Sequence, residues 1–553
     1  MSDFRSFLVV GAVLGLAGSS LLGRASEQPP NAQATKAILN LADAQKLARR
    51  IDQLILARAT SEGVPVGERS DDAEFLRRVS LDLSGRIPRT LEARDFLTDT
   101  KPQKRQLLID RLLDSPMYVK HWTNVWRAAL LPQANVPEAQ QFLPGFDRWL
   151  RDRLRENTPY DLMVQQIITA PLDNVGMRRR PQQMAAAYDE ATPIAFYMAN
   201  ELKPENLASS ASRLFLGIKL ECAQCHDHPM DVWRRKQFWE FAAFFSGVQR
   251  TTPADNPVPG VKEDADLDKI SIPGTNDTVM VHYLDGSAPK AKVNGSSRAT
   301  LAAWITSSNN PYMAKALVNR LWAYFFGIGL VEPFDEMSEQ NPASHADLLA
   351  ELAREFQHHS YDLKFIMRAI ALSETYQRAS QRGRASASQE ENRLFTNMTV
   401  RGLSGDQMLD SLVQATGLRD AGPAGMAPGL VDPRITGGLR GEFLARFTSQ
   451  DKPAEYQTSI LQALMLMNGR LMAETTDLER SETLSAIADS PFMDAHEKIE
   501  ALYLTALCRK PRADELNKLV PYVESGGARK DPRVALSDVL WALLNSGEFL
   551  LNH

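Results

Sequence analysis

Two cysteines and a histidine fall within five residues of one another, in the C-x-x-C-H motif formed by Cys222, Cys225 and His226. Two thiols at this spacing on one helical turn can each form a thioether with a haem vinyl group. The imidazole of the following residue then lies below the iron as its axial ligand. The motif therefore predicts covalently bound haem c and, with it, the transfer of single electrons.

The same residues leave two other kinds of site open. Cys222, Cys225, His226 and His228 could bind zinc or copper in a secreted metal-dependent enzyme, one that could act on polysaccharide. Four ligands within seven residues are too crowded to complete a tetrahedron, so such a site would need a remote ligand. Alternatively, the cysteines form a structural disulfide in a non-catalytic scaffold that docks a secreted partner and carries no prosthetic group. A thioredoxin-like redox pair would need a βαβ context, which the sequence does not show.

A haem iron would take its second axial ligand from a distant part of the chain. Two residues span at most about 7 Å, so His228 cannot reach the opposite face of the porphyrin from His226. Asp227 and His228 would instead support the ligand or bond to the adjacent backbone. The remaining candidates for the sixth ligand are His121, His345, Met184 and Met198, or no residue at all.

Aromatic and polar residues elsewhere have both structural and functional interpretations. The aromatic residues after the motif could enclose a porphyrin or pack in the core of a helix. They are Trp233, Phe238, Trp239, Phe241, Phe244 and Phe245. Asp82 with Arg86, and Asn319 with Arg320, lie in apolar patterns, where satisfied buried pairs explain them as well as catalysis does.

Ser344, Asp347 and Cys508 are predicted to be structural. Ser344 followed by Asp347 predicts a helix N-cap, which would leave His345 on the surface. Cys508 is predicted to be a buried, inert thiol. No nucleophile elbow, P-loop or Rossmann glycine pattern occurs, so the sequence assigns no catalytic residue.

Composition and length exclude several classes of protein. The chain has 553 residues, 44% of them hydrophobic and 24% charged, with a net charge of −5. These values are typical of a globular protein of two or more domains, and no basic field suggests nucleic-acid binding. Arg5 precedes an apolar run at 7–22 that suits a signal peptide, with a retained anchor as the alternative. The mature protein is thus expected to be periplasmic or secreted, without a membrane span.

Helical periodicity predicts a mainly α fold of two helical domains joined by a small β-containing connector. Residues 278–283 are the clearest strand candidate in that connector. The predicted segments are a signal peptide or anchor at 1–25, a polar tether at 26–40, a cytochrome-like helical domain with the motif at 41–250, the connector at 251–297 and a C-terminal helical domain at 298–553.

Long segments of the chain resemble planctomycete-type secreted cytochrome-like proteins built from two paired domains. The segments that resemble the first domain are FLRRVSLDLSGRIPRTLEA (75–93), HWTNVW (121–126) and FLGIKLECAQCHDHPMDVW (215–233). The segments that resemble the second domain are ALVNRLWAYFFGIGLVEPFDEMSEQNPASHADLL (316–349), YDLKFIMRAIALSETYQRAS (361–380), SILQALMLMNG (459–469) and LWALLNSGEFLLNH (540–553).

The resemblance implies several properties of the chain but no function, because both domains are of unknown function. Longer relatives carry an additional N-terminal cytochrome c domain, and the resemblance implies that this chain is a short form without it. Cys222, Cys225 and His226 would then be its haem anchor. Similar proteins are often encoded beside a second secreted protein, which implies either that protein or an unidentified redox protein as the partner.

Overall fold

The structure, a computed structural model, describes residues 32–131, 137–172, 190–229, 231–252, 260–380, 392–418, 443–444 and 469–553. The chain divides into two compact units, Met1–Ala42 and Asp43–His553. Of the first unit, residues 32–42 are described, and they are the beginning of the first helix. That helix starts inside the predicted tether at 26–40, while the predicted signal peptide or anchor at 1–25 lies outside the described residues.

The described residues form mainly α-helices, as the periodicity predicts. The helices are α1 (Ala32–Ser61), α2 (Asp72–Ser84), α3 (Thr90–Thr98), α4 (Lys104–Leu113), α5 (Pro116–Leu130), α6 (Pro137–Gln140), α7 (Leu143–Arg155), α8 (Tyr160–Ile168), α9 (Ala195–Ala199), α10 (Pro204–Ala211), α11 (Arg235–Ala242), α12 (Ser297–Ile305), α13 (Met313–Phe326), α14 (Ala346–His358), α15 (Leu363–Leu372), α16 (Gly405–Thr416), α17 (Arg470–Thr475), α18 (Glu482–Ala488), α19 (Ala495–Leu507), α20 (Ala513–Glu524), α21 (Pro532–Leu544) and α22 (Gly547–Leu550). A π-helix covers Ser212–Leu216, and 3₁₀ turns cover Glu221–Gln224, Ala243–Phe245 and Gly527–Arg529.

Short antiparallel strand pairs complete the fold. They are β1 (Val248–Arg250) with β2 (Val261–Glu263), β3 (Lys269–Ser271) with β4 (Thr278–Met280), and β5 (Arg401–Gly402) with β6 (Leu551–Asn552). Strand β4 lies at the start of the predicted strand at 278–283, and three of these six strands fall inside the predicted connector. Among the described residues, no helix combines the length and the apolar character that crossing a membrane requires.

Buried apolar residues form two hydrophobic clusters, and the division between them does not follow the predicted connector. The larger cluster runs from Ala44 to Met398 and takes residues from both sides of 251–297. The smaller cluster combines Leu81 and Ile87 with residues between Leu403 and Phe549. The packing therefore divides near residue 400, whereas the boundaries at 251 and 297 remain predictions from composition.

Helix α2 lies between the two clusters and is buried on all sides. Asp71 caps its N-terminus by accepting from the Glu74 amide, and Gly85 ends it with a φ of 70°. A Cβ atom on Gly85 would lie 2.3 Å from Nδ1 of His121, so both the left-handed backbone and the close contact require glycine. Val79 faces the larger cluster, and Leu81 faces the smaller one.

The polar side chains of α2 connect distant parts of the chain. Arg77 donates to the carbonyls of Ala506 and Phe549, at 3.2 and 2.7 Å. Arg78 donates to the carbonyls of Tyr376 and Arg378, at 2.7 and 2.9 Å. Both guanidinium groups are fully enclosed, and backbone carbonyls satisfy part of their hydrogen-bonding capacity. Helix α2 thereby joins the N-terminal helices to segments hundreds of residues away.

Candidate functional site

The chain approaches the C-x-x-C-H motif through an irregular helical segment. Helix α10 continues into the π-helix Ser212–Leu216, and Gly217 ends this segment with a φ of 69°. A Cβ atom on Gly217 would lie 3.1 Å from both Ala316 and the sulfur of Met337, so glycine permits close packing against α13 and the loop after it. Single π-helical turns are rare in proteins, and those that occur often lie at functional sites. The segment that leads to the motif is thus helical as far as Leu216, and its last turn is π-helical.

The motif itself lies on one short turn at the surface. The 3₁₀ turn Glu221–Gln224 contains Cys222, and Cys225 immediately follows it. Both cysteines and His226 are exposed, and neither cysteine is in a disulfide. The structure therefore brings the three predicted cofactor-binding residues together on an accessible turn, as the motif spacing predicts.

A hydrogen bond fixes which nitrogen of His226 is available to a metal. Nδ1 of His226 lies 2.7 Å from the backbone carbonyl oxygen of Asp227. A carbonyl oxygen only accepts, so Nδ1 must carry the proton and donate it. Nε2 of the neutral ring then keeps its lone pair, which is the arrangement found in metal-bound histidines.

Helix α11 holds the turn through its first residues. The Oδ1 atom of Asp227 accepts from the backbone amide of Arg235 at 2.9 Å, which satisfies one of the unpaired amides at the helix N-terminus. The carbonyl of Gln224, between the two cysteines, accepts from Nε1 of Trp239 at 3.1 Å and from Nε of Arg235 at 3.4 Å. Asp227 thus satisfies adjacent backbone, one of the two roles predicted for it.

Residues from the C-terminal half of the chain contact the segment before the motif. Nζ of Lys219 lies 2.8 Å from Oε1 of Glu336, and the amide of Met337 donates to the carbonyl of Gly217 at 2.8 Å. Burial raises the pKa of Glu221, whose carboxylate lies 3.7 Å from the guanidinium of Arg213. No local sequence signal marks Glu336 or Met337, because more than a hundred residues separate them from the motif.

The aromatic residues after the motif are core residues. Trp233, Phe238, Trp239, Phe241, Phe244 and Phe245 all belong to the larger hydrophobic cluster, with at most 7% of any of them exposed. Of their two predicted roles, core packing is the one that the structure shows. The fit to haem therefore comes from the thiols and the imidazole, whose chemistry and accessibility suit covalent attachment, and not from an aromatic enclosure.

Haem and a mononuclear metal ion would need different arrangements of the motif side chains. Among the described residues, no three His, Cys, Asp or Glu side chains are grouped so that they could hold one metal ion. Zinc or copper would require the motif side chains to converge with a remote ligand. Haem does not require convergence, because the thiols bond to the edge of the porphyrin and only the imidazole reaches the metal.

The two histidines considered as sixth ligands have their contacts elsewhere. Nε2 of His121 lies 2.5 Å from the hydroxyl of Tyr324, and burial lowers the pKa of His121 to about 4. His345 is 6% exposed and packs against Phe395, with ring centroids 5.6 Å apart. Burial also lowers the pKa of His345 to about 4. Met198 is buried in α9, and Met184 lies outside the described residues.

The prediction for the segment before α14 was wrong. His345 is buried rather than exposed, and it occupies the N-cap position that was predicted for Ser344. The amide of Ser344 donates to the carbonyl of Leu330 at 2.7 Å, so the preceding loop holds Ser344 outside the helix. Helix α14 therefore begins one residue later than a Ser344 cap would place it.

The polar residues within apolar patterns are satisfied buried groups. Both side-chain ends of Asn319 bond to the backbone of Val331, at 3.0 Å in each case. Asp82 is fully buried and pairs with Arg401, not with the Arg86 suggested by its position in the sequence. The structural interpretation is thus confirmed for Asn319 and Asp82, with a different partner for Asp82.

The three cysteines should differ sharply in their reactivity. Burial raises the pKa of the Cys508 thiol to about 11, whereas Cys222 and Cys225 are exposed. In haem-free folded protein at pH 8, iodoacetamide is expected to label Cys222 and Cys225, and Cys508 only after denaturation. Peptide mass spectrometry before and after adding guanidinium chloride measures this. Labelling of Cys508 at the same rate as the other two would contradict the arrangement.

The fold and the turn together define a mainly helical protein with an exposed C-x-x-C-H turn. Two family models match the chain, "Protein of unknown function (DUF1549)" over residues 50–250 and "Protein of unknown function (DUF1553)" over residues 297–437. The chain belongs to the planctomycete-type family in which these two domains are paired, as its sequence motifs predict. No match was found among the curated proteins or among the solved structures.

Proposed function

We propose that this protein is an extracytoplasmic, monohaem c-type cytochrome-like electron carrier. Cys222 and Cys225 would hold haem c covalently, and Nε2 of His226 would bind its iron. The haem would supply one-electron redox chemistry when bound. The single observation that carries the proposal is the 2.7 Å contact between Nδ1 of His226 and the Asp227 carbonyl, which leaves Nε2 for a metal, beside two exposed free thiols.

The chain's own residues would bind and orient the cofactor. The thiols lie on one turn, so two thioether bonds could form without disturbing the core behind them. The His226–Asp227 bond orients the imidazole. Covalent attachment outside the cytoplasm agrees with the predicted signal peptide, and the protein would therefore be periplasmic or secreted.

The exposure of the turn also supports a role in electron exchange with another protein. A cofactor anchored on an exposed turn lies within reach of a docked partner, whereas one enclosed by the core does not. The partner would be a redox protein or the secreted protein expected to be encoded nearby. His121 contacts Tyr324 and His345 contacts Phe395, so neither histidine would be the sixth iron ligand.

Cysteine and histidine variants test the proposal. In a host that attaches haem to exported proteins, replacing both Cys222 and Cys225 by alanine is expected to abolish covalent haem. His226→Ala is expected to leave covalent attachment possible but to change the absorption spectrum, because the iron loses its proximal ligand. Haem staining of denaturing gels and visible spectra measure the two effects.

Two variants serve as controls in the same host. Cys508→Ala removes a thiol that is buried away from the turn, and His358→Ala removes an exposed histidine of α14. Both are expected to keep the wild-type haem content per folded protein. If the double cysteine variant has the same haem staining and spectrum as the wild type, the proposal is wrong.

A further inference from the structure

Hydrogen bonds join residues 224–228 to residues 233–239 at several points. The amide of His228 donates to the carbonyl of Trp233 at 2.7 Å. Arg235 and Trp239 on α11 both donate to the carbonyl of Gln224. That carbonyl lies between Cys222 and Cys225, so the two donors hold the turn at a point between the cysteines.

Arg235 makes three connections in different directions. Its backbone amide bonds to Asp227, its Nε atom donates to Gln224 and one of its terminal nitrogens donates to the carbonyl of Pro273 at 2.5 Å. Pro273 lies in the connection between β3 and β4, inside the β-containing connector. A guanidinium group has donors that point in fixed, separate directions, so one arginine side chain can tie the turn to the connector.

We infer that Arg235 and Trp239 are positioning residues for the proposed cofactor, and that the connector fixes Arg235 in place. They form a clamp that holds the C-x-x-C-H turn in one conformation before any group is attached. A turn held in this way presents both thiols and the imidazole in fixed relative positions, which lowers the entropic cost of binding. This inference rests on the proposed function for its cofactor, but the clamp itself is a property of the polypeptide.

The chain offers a matched control for Arg235. Arg234 is its exposed neighbour, and the hydrogen bond that Arg234 makes to Gln237 comes from its backbone amide, which alanine would keep. Arg235→Ala removes the side-chain hydrogen bonds to Gln224 and Pro273. Arg235→Lys keeps the positive charge but lacks the planar guanidinium group, whose donors point in separate directions. Trp239→Phe keeps an aromatic ring in the core but removes the indole N–H.

Amide hydrogen exchange in haem-free full-length protein tests the clamp directly. Exchange of the Ala223 and His228 amides in Arg235→Ala is expected to be about threefold to tenfold faster than in wild type, because one or two bonds to a charged group are lost. Trp239→Phe and Arg235→Lys are expected to show the same effect, and Arg234→Ala none. Equal exchange in Arg235→Ala and Arg234→Ala would overturn the inference.

Haem loading provides the second measurement. In the haem-attaching host, Arg235→Ala is expected to lower haem per polypeptide several-fold and to alter the spectroscopic signature of histidine ligation, with the melting temperature unchanged. Wild-type loading and signature in Arg235→Ala would overturn the positioning role. If wild-type protein itself carries no haem, the proposed function fails, and hydrogen exchange alone then decides whether the clamp exists.

Discussion

Replacing Arg401 by methionine is expected to lower the free energy of unfolding by about 3–5 kcal/mol, because a buried carboxylate then loses the cation that hydrogen-bonds to it. One terminal nitrogen of Arg401 lies 2.9 Å from each carboxylate oxygen of Asp82. Only 15% of the Arg401 side chain and 1% of the Asp82 side chain are exposed. Water therefore cannot replace the lost partner.

The other partners of Asp82 make this loss more severe than the loss of an isolated pair. Oδ2 accepts from the hydroxyl of Tyr376 at 2.7 Å, and Oδ1 accepts from the side-chain amide of Asn552 at 2.8 Å. These neutral donors hold the carboxylate in place but do not balance its charge. Asp82 and its partners come from the beginning, middle and end of the chain, so the effect should be on global unfolding.

Urea unfolding followed by circular dichroism measures the loss. The control is Arg354→Met, which removes an exposed ion pair of α14 and is expected to cost less than about 1 kcal/mol. Adding Asp82→Asn to Arg401→Met should recover part of the loss, since the buried charge is then absent. Equal midpoints for Arg401→Met and Arg354→Met would contradict the assignment of Asp82 as a buried ion-pair centre.

Acidification is expected to destabilise the protein through His121 and His345. Burial lowers the pKa of each imidazole from 6.5 to about 4, so the unfolded state binds more protons than the folded state between these values. Stability is therefore full above about pH 6.5 and falls as the pH drops towards 4, by about 3 kcal/mol for each histidine.

Unfolding free energies at pH 7, 5.5 and 4.5 test this prediction. His121→Gln removes one titrating group while keeping a polar side chain near Tyr324, and it should reduce the stability difference between pH 7 and 4.5. His358→Gln, at an exposed position of α14, should leave that difference unchanged. A pH profile that is the same in His121→Gln as in the wild type would rule out His121 as one of its sources.

Local patterns in the sequence were enough to predict the helical class and the turn. Helical periodicity reflects burial along each helix, and the C-x-x-C-H spacing places its three side chains on one turn whatever the surroundings. The partner of Asp82 could not be predicted in this way. Arg86 is near Asp82 in sequence, but Arg401 reaches it only because β5 pairs with β6 beside α2.

The contacts around the turn could not be predicted from the sequence either. Trp239 looks the same in sequence whether it encloses a cofactor or packs in the core, and its bond to Gln224 depends on the path of the loop between them. The burial of His345 likewise depends on Phe395, which lies fifty residues further along the chain. Such contacts follow from tertiary packing, which overrides local propensity.

The most direct test of the central claim uses the tryptic peptide 220–234, which contains the whole motif and does not depend on how the N-terminus is processed. The protein is exported from a haem-attaching host and its visible spectrum is recorded. The mass of this peptide is then measured by mass spectrometry. The account predicts a Soret band and a peptide heavier than its sequence by one haem. A colourless protein whose peptide has the mass of its unmodified sequence would contradict it.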